Sequence, residues 1–415
     1  MKKKTFLQWL FSFLHAILML MIVMGWTYFD LGLTRESTLL KWQSFLKRRG
    51  IGVSRVSPLY ALDTLVLVDV SADKTVVFDS SELKRQVITD PRLLDTVLRE
   101  FDSAGTYRYI LCDVYFPVAT DYDSTLLKTI YSTRNIAFPL SEGYSTQKGL
   151  RPLEALPGGV VHYQHTNDWH ILSDQLIKFQ LVNGHSEKSL PLYMAEEVTG
   201  RTLTSATTVN NITFNAYLRP ADLRRPNAPA RLYSLSDLHQ FMFYQTPAER
   251  REWLKTKFIL IGNFTEDVYK TAFGDMPGVL ILFNIYLSIL DGAHEFSWSW
   301  LVFLLAAFSG LSWLTFYWKG EKRFRWVKDA KTLLENLVGD IGLALFINFV
   351  ALFFIALFSV VLFNKTTPIA ILTFYMVMID YCKYLVRNYP HIRPHSKKKV
   401  WTIVKYLFKI KPQEG

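Results

Sequence analysis

An α/β extracytoplasmic domain with a mostly parallel sheet, joined to four transmembrane α-helices, is the fold class that this 415-residue chain predicts. Three observations carry the prediction. One long apolar run lies near the N-terminus and three more crowd the last third, with about 270 mixed residues between them. In that middle stretch, continuous apolar runs ending in an acid or a glycine alternate with segments of helical spacing, the pattern of strands buried on both faces. Lysine and arginine collect beside the apolar runs, so the formal net charge of +11 reports where the chain meets a membrane.

The first run covers residues 6–28, and roughly 20 apolar residues suffice to cross a bilayer. Gly25-Trp26-Thr27-Tyr28-Phe29-Asp30 is too bulky for a signal-peptidase site, so the run reads as a retained anchor. The other runs are residues 298–318, 341–363 and 369–386. Trp298, Trp300, Trp318 and Tyr384 stand near their ends, where amphipathic rings favour the headgroup region. Lys2, Lys3 and Lys4 precede the first run, residues 319–331 carry six Lys/Arg against two acids, and the residues after Val386 carry eight against one. The positive-inside rule then places both termini in the cytoplasm and the large domain on the far side. The expected division is a basic start and anchor (1–29), the extracytoplasmic domain (30–297), a three-helix region (298–386) and a basic amphipathic tail (387–415). The charge calls for anionic lipid, and no nucleic-acid partner is expected.

Within the domain, residues 65–70 and 109–114 read as strands. The helix between them, 91–104, has Asp90 placed to cap it and Ser103-Ala104-Gly105 to close it. A helix over 124–131, a strand over 135–139, a strand over 159–163, a helix over 190–198 and a strand over 207–217 follow. Residues 258–263 form the closing strand, and Pro277-Gly278-Val279 opens a helix that ends near Leu290. The strand, helix, strand order predicts right-handed crossovers, and the long excursion over 140–257 predicts an inserted lobe or added edge strands. Cys112 and Cys382 form no disulfide framework and read as small buried hydrophobes.

Ligands in open α/β sheets bind beyond the carboxyl ends of the strands. Asp69, Asp113 and the loop holding Gly262, Asn263 and Asp267 project there, and Gly278 opens a helix whose N-terminus suits an anion. Converging carboxylates and backbone amides can hold a hard cation or the polar end of a small ligand. The alternative is that Asp69 and Asp113 cap neighbouring loops. His162, His165 and His170, near Asn167 and Asp168, match no metal-ligand spacing, so no metal is expected. There is no nucleophile elbow, phosphate-binding loop or reactive Cys/His pair, so neither a cofactor nor catalysis is expected.

In the membrane part, His15 and Asn348 lie at comparable depths, and a hydrogen bond between them would contribute about 0.6–2 kcal/mol. Asp340, Asp380 and Lys383 lie near cytoplasmic helix ends, where a surface pair is expected. In the tail, Val400, Ile403, Val404, Leu407 and Phe408 recur at helical spacing among lysines. That is the pattern of a basic helix on the inner leaflet, or one that docks a cytoplasmic protein. Residues 319–337 share the character.

The order of these segments resembles the CHASE type 2 domain. Leu67-Val68-Asp69-Val70 is similar to its opening strand. Ala104-Gly105 through Tyr109-Ile110-Leu111-Cys112-Asp113-Val114-Tyr115-Phe116 is similar to its helix end, strand and aromatic turn. Tyr217-Leu218-Arg219-Pro220 with Tyr233-Ser234-Leu235-Ser236-Asp237-Leu238 resembles its middle segment. Lys257-Phe258-Ile259-Leu260-Ile261-Gly262, Met276-Pro277-Gly278-Val279 and Asn284 resemble its close. The chain departs from the family at Asp168-Trp169-His170, where an Asp-Gly turn leading to an Arg is usual. The resemblance implies an extracytoplasmic sensor domain of a bacterial inner-membrane protein, followed by three membrane helices. It further implies a sensory or accessory receptor that binds a small ligand or envelope partner. About 29 residues follow the last run, so a separate cytoplasmic protein is expected to read the signal, and a homodimer is compatible with the family. The other reading is a structural or assembly component of an envelope complex without ligand switching.

Overall fold

In a computed structural model that describes residues 3–28, 37–51, 54–56, 64–79, 84–116, 118, 120–140, 156–161, 178–205, 208–213, 215–223, 231–317 and 333–388, the chain divides into two units. One is residues 37–296, and the other joins residues 1–36 to residues 297–415. Helix α1 (Lys3–Tyr28) belongs to the second unit, and α2 (Ser37–Arg48) begins the first.

The first unit continues with β1 (Leu65–Asp69) and an antiparallel hairpin of β2 (Lys74–Asp79) and β3 (Lys84–Thr89). The hairpin is not expected from the sequence, because Lys74, Lys84, Arg85 and Gln86 leave no continuous apolar run. Helix α3 (Pro91–Ala104) starts where Asp90 accepts the N–H of Arg92 at 2.9 Å. It stops at Gly105, whose φ of 64° is readily adopted by glycine. Then come β4 (Tyr109–Asp113), α4 (Asp123–Ser132), β5 (Ile136–Leu140), β6 (Gly158–Val160), β7 (Lys178–Gln180), α5 (Leu190–Thr199) and β8 (Asn211–Thr213). After α6 (Pro220–Leu223), β9 (Leu232–Ser234), α7 (Leu235–Phe243) and α8 (Pro247–Leu254), strand β10 (Phe258–Gly262) enters the sheet. The ribbon of β11 (Val268–Thr271) and β12 (Gly274–Pro277) leads straight into α9 (Gly278–Leu290).

Six strands form one sheet in the order β6-β5-β4-β10-β1-β9, with every neighbouring pair parallel. Alternate residues supply both faces, which is why the strands read as unbroken apolar runs. Leu65, Leu67, Leu111 and Leu260 pack with α5 and α9 on one face, while Val66, Val68, Cys112 and Ile261 pack with α3, α4 and α7 on the other. The excursion before β10 supplies both edges, β6 and β9. The strand expected over 207–217 is shorter. Among the described residues of that stretch, Asn211–Thr213 forms the ladder, paired with β7, and residues 215–218 lie along α9, held by its polar side chains.

The second unit holds α1, α10 (Trp298–Tyr317), α11 (Leu333–Phe363) and α12 (Ile369–Asn388). Three stretches among the described residues, Thr5–Gly25, Trp298–Tyr317 and Phe346–Phe363, are long and apolar enough to cross a membrane. The fourth expected span is not among them: within the described residues the apolar stretch of α12, Ile369–Cys382, is shorter. Along α1, Ser12, Ala16, Met19 and Val23 are buried. Trp9 stacks on Trp313 of α10 at 5.8 Å, and Phe11 meets Phe316 edge-on at 5.0 Å. Trp300 donates its indole N–H to Ser359, tying α10 to α11. Small residues and polar side chains hold such helices together where lipid offers no hydrophobic drive.

Candidate functional site

Gly262 is in register with Asp69 on one side and Asp113 on the other, so the last residues of β1, β10 and β4 stand level at the carboxyl edge of the sheet. The two acids then take different roles. Asp69 Oδ1 accepts the N–H groups of Ser71 (3.0 Å) and Phe264 (3.1 Å), and its Oδ2 accepts the hydroxyls of Ser71 (2.8 Å) and Thr265 (3.2 Å). It is a loop cap with its lone pairs occupied. Asn263 is also used within the loop, accepting the N–H groups of Thr265 and Glu266 and donating to the Glu266 carboxylate.

The Asp113 side chain receives no hydrogen bond among the described residues. Burial, and then the charge of Asp267, push its carboxyl up to about 7. The Asp267 carboxyl is raised by its own burial, with the Tyr269 hydroxyl opposing the rise. The two side chains converge on the first residue of α9. A Cβ on Gly278 would lie 2.4 Å from Asp267 Oδ2 and 3.1 Å from Asp113 Oδ2. The Gly278 N–H donates to the Asp267 carbonyl at 2.9 Å, which seats the β11–β12 ribbon against the helix start. Gly262 is small for a related reason, since a Cβ there would meet that of Val279 at 2.9 Å. Two acids, one of them with an unusually high affinity for a proton, thus share a corner. Among the described residues no group of three or more His, Cys, Asp or Glu is assembled. The corner suits the cationic or hydrogen-bond-donating end of a ligand more than a complete cation cage, which takes six or more oxygens. Gly278→Ala is expected to drive the Asp267 side chain out of this corner. Proton uptake by Asp113, followed by carboxyl NMR or infrared titration, should then move toward the ordinary carboxylate range.

The far end of α9 carries a second polar cluster that sequence reasoning missed. Asp291 Oδ2 accepts from Lys47 Nζ at 2.6 Å and from the Tyr217 hydroxyl at 2.5 Å, and Lys47 also reaches the Tyr217 oxygen at 3.1 Å. Asp291 Oδ1 accepts from the Arg55 N–H (2.5 Å) and the Ser54 hydroxyl (3.0 Å). The Lys47 and Asp291 side chains are only 4% and 0% exposed, so this is a buried ion pair. Burial pulls the Lys47 ammonium below its ordinary value against the pull of Asp291. Burial acts upward on the Asp291 carboxyl, but Lys47 and the bonds from Tyr217 and Arg55 together hold it below the usual range. The available signal was a stripe. Asn284, Ser288 and Asp291 recur at i, i+4 and i+7 on an otherwise apolar helix. Asn284 pairs with both backbone groups of Leu218 at 2.9 Å, and Ser288 accepts the Asn215 N–H at 3.0 Å.

A cavity of about 300 Å³ beside Tyr131, Asn135, Tyr193 and Glu197 lies at the amino end of β5, away from the carboxyl edge. His162, His165, His170, Asn167 and Asp168 lie outside the described residues, as do the 319–332 loop and the 397–409 segment.

In the membrane unit the expected His15–Asn348 bond is not formed. His15 Nδ1 meets Ser312 Oγ on α10 at 2.7 Å and its ring stacks on Tyr375 of α12, so the nearer hydroxyl takes the contact. Asn348 donates to Asp380 at 3.0 Å, and the Thr315 hydroxyl approaches its oxygen at 3.5 Å. Asp380 thereby joins α12 to α11. The side chains of Asp340 and Lys383, on α11 and α12, lie outside the described residues. Asn348→Leu is expected to weaken the bundle by about 0.6–1.7 kcal/mol, measurable by unfolding in mixed micelles.

A family model for the CHASE2 domain matches residues 17–316, from within α1 to the last turn of α10. The chain belongs to the CHASE2 domain family. CHASE2 is a sensory extracytoplasmic domain family, and the matched span includes α9 with the acid corner and the ion pair at its two ends. No curated protein and no solved structure matches this CHASE2 chain significantly.

Proposed function

We propose that this CHASE2 protein is a membrane-anchored sensory or accessory receptor. Its extracytoplasmic domain takes a small ligand at Asp113, Asp267 and Gly278 and relays the event through the membrane helices to a separate cytoplasmic protein. One observation carries the reading. Helix α9 is a buried 13-residue rod with the acid corner at its start and the Lys47–Asp291 pair just past its end. At 1.5 Å per residue it spans about 20 Å, and its polar stripe fixes it along residues 215–218.

A ligand that prefers both acids ionised shifts the equilibrium only by its differential affinity for the two states. Asp69, Gly262 and Asn263 then hold the loop against which the ligand rests. The same reading keeps both termini in the cytoplasm of a bacterial inner membrane, with α12 as a fourth span and the basic tail on lipid or on the cytoplasmic partner. No catalytic step is assigned to the domain.

The test is thermal unfolding of the full chain in nanodiscs, with divalent cations and linear diamines as probes. A stabilising shift that Asp113→Asn and Asp267→Asn each abolish is the expected result, and a shift retained in both variants would sink the site. A second reading, an assembly component of an envelope complex, draws on the hairpin. There Val76 faces Val87 across the strands, and Val76, Phe78 and Val87 are all exposed. Constitutive co-purification with envelope proteins, unchanged by both Asp substitutions, would favour it. Crosslinking from residues 386–415 in intact cells separates the two, since only the receptor reading expects a signalling protein there.

A further inference from the structure

Helix α2 is set with its polar face inward. Gln43, Ser44 and Lys47 are buried, with Ser44 accepting the Ala216 N–H at 3.3 Å and Lys47 bound to Asp291 and Tyr217. The aromatic residues face out. Trp42 is 54% exposed, Phe45 46%, and Ile51 just past the helix 47%. Trp42 and Phe45 meet edge-on at 6.0 Å, the Arg49 guanidinium lies over the Phe45 ring at 5.4 Å, and Lys41 is exposed on the same arc. A helix on a water-facing protein surface shows the opposite arrangement.

We propose that this outer face of α2 lies in the headgroup layer of the bilayer that the chain spans, with Trp42, Phe45 and Ile51 at the acyl boundary and Lys41 and Arg49 on lipid phosphates. Aromatic rings flanked by cations whose stems reach outward form the chemistry of an interfacial helix. Chain length favours this occupant over any other. Eight residues separate the last residue of α1 from the first of α2, and a chain of that length reaches at most about 28 Å. From the far side, Lys47 is bonded to Asp291, and six residues lead from Asp291 to Trp298, where the next apolar helix begins. A membrane tethered this closely along the sequence on both sides is always within reach.

The experiment uses the full chain in vesicles of phosphatidylcholine and phosphatidylglycerol. A Phe45→Cys, Cys382→Ser protein is labelled with a polarity-sensitive fluorophore, with Cys112 buried and out of reach of the label. The expected result is blue-shifted emission that is lost when the lipid carries a nitroxide near its headgroup, and the same behaviour from Trp42→Cys. Emission typical of water, unaffected by nitroxide lipid at both positions, overturns the proposal. So does excimer emission from a pyrene label without nitroxide quenching, which would assign the face to a second copy of the chain. Unchanged thermal unfolding of each labelled protein separates these outcomes from misfolding.

Discussion

Replacing Lys47 with Met is expected to destabilise the α/β domain by about 3–5 kcal/mol, because the substitution strips a buried carboxylate of its cation. Asp291 would keep its bonds from Tyr217, Ser54 and the Arg55 N–H but would lose the ammonium bonded to it at a fully enclosed position. Pairing Lys47→Met with Asp291→Leu should recover part of the loss, since removing both charges also removes the cost of desolvating them. Urea unfolding of the full chain in micelles, followed by near-ultraviolet circular dichroism, would measure both variants. Acid sensitivity supplies a second readout. The Asp291 carboxyl is held below its unfolded value, so its contribution is present above that value and is lost as pH falls through the folded one. The single Lys47→Met variant should therefore lose less stability on acidification than the parent. An equal acid slope in both would mean that the pair does not carry the effect.

At the other end of α9 the sign is reversed. The Asp113 carboxyl sits at about 7 against an ordinary 3.8, so the native domain holds a proton that the unfolded chain has released. Stability from this group is complete below its unfolded value and declines as pH rises from about 4 to about 7. Asp113→Asn keeps the shape and removes the ionisation. It is expected to stabilise the protein by about 1–3 kcal/mol at pH 8 and to change little near pH 4, on the scale of 1.36 kcal/mol per pKa unit. Melting temperatures across that range test it. A variant less stable than the parent at alkaline pH would show that Asp113 is held ionised by a contact other than those described.

The sheet was legible because a strand buried on both faces has to be apolar at successive positions, as in Phe258-Ile259-Leu260-Ile261. Helix α3 was legible because Asp90 and Gly105 bracket its apolar stripe. Asp69 and Asp113 could be placed at one edge of the sheet from their position at strand ends. Their divergence could not be read, since it depends on Ser71, Phe264 and Thr265 folding back onto Asp69 and on Asp267 arriving beside Asp113. The Lys47–Asp291 pair was hidden by sequence separation, as the two residues stand 244 positions apart. The missing His15–Asn348 bond has a related cause. Depth along a helix axis says nothing about rotation about it, and Ser312 offered His15 a hydroxyl on the adjoining face.

The place of β10 in the sheet has a consequence for how the protein is made. It is the last strand of the sheet in sequence, yet it lies in the middle, bonded to β1 on one side and β4 on the other. Until residue 258 emerges, two finished strands wait with open hydrogen-bonding edges, the kind that recruit foreign strands. Pairing over such sequence distances is slow. Newly made chains are thus most vulnerable to aggregation and proteolysis just before β10 emerges, and the arrival of β10 and α9 closes the sheet and brings the chain to the next apolar helix.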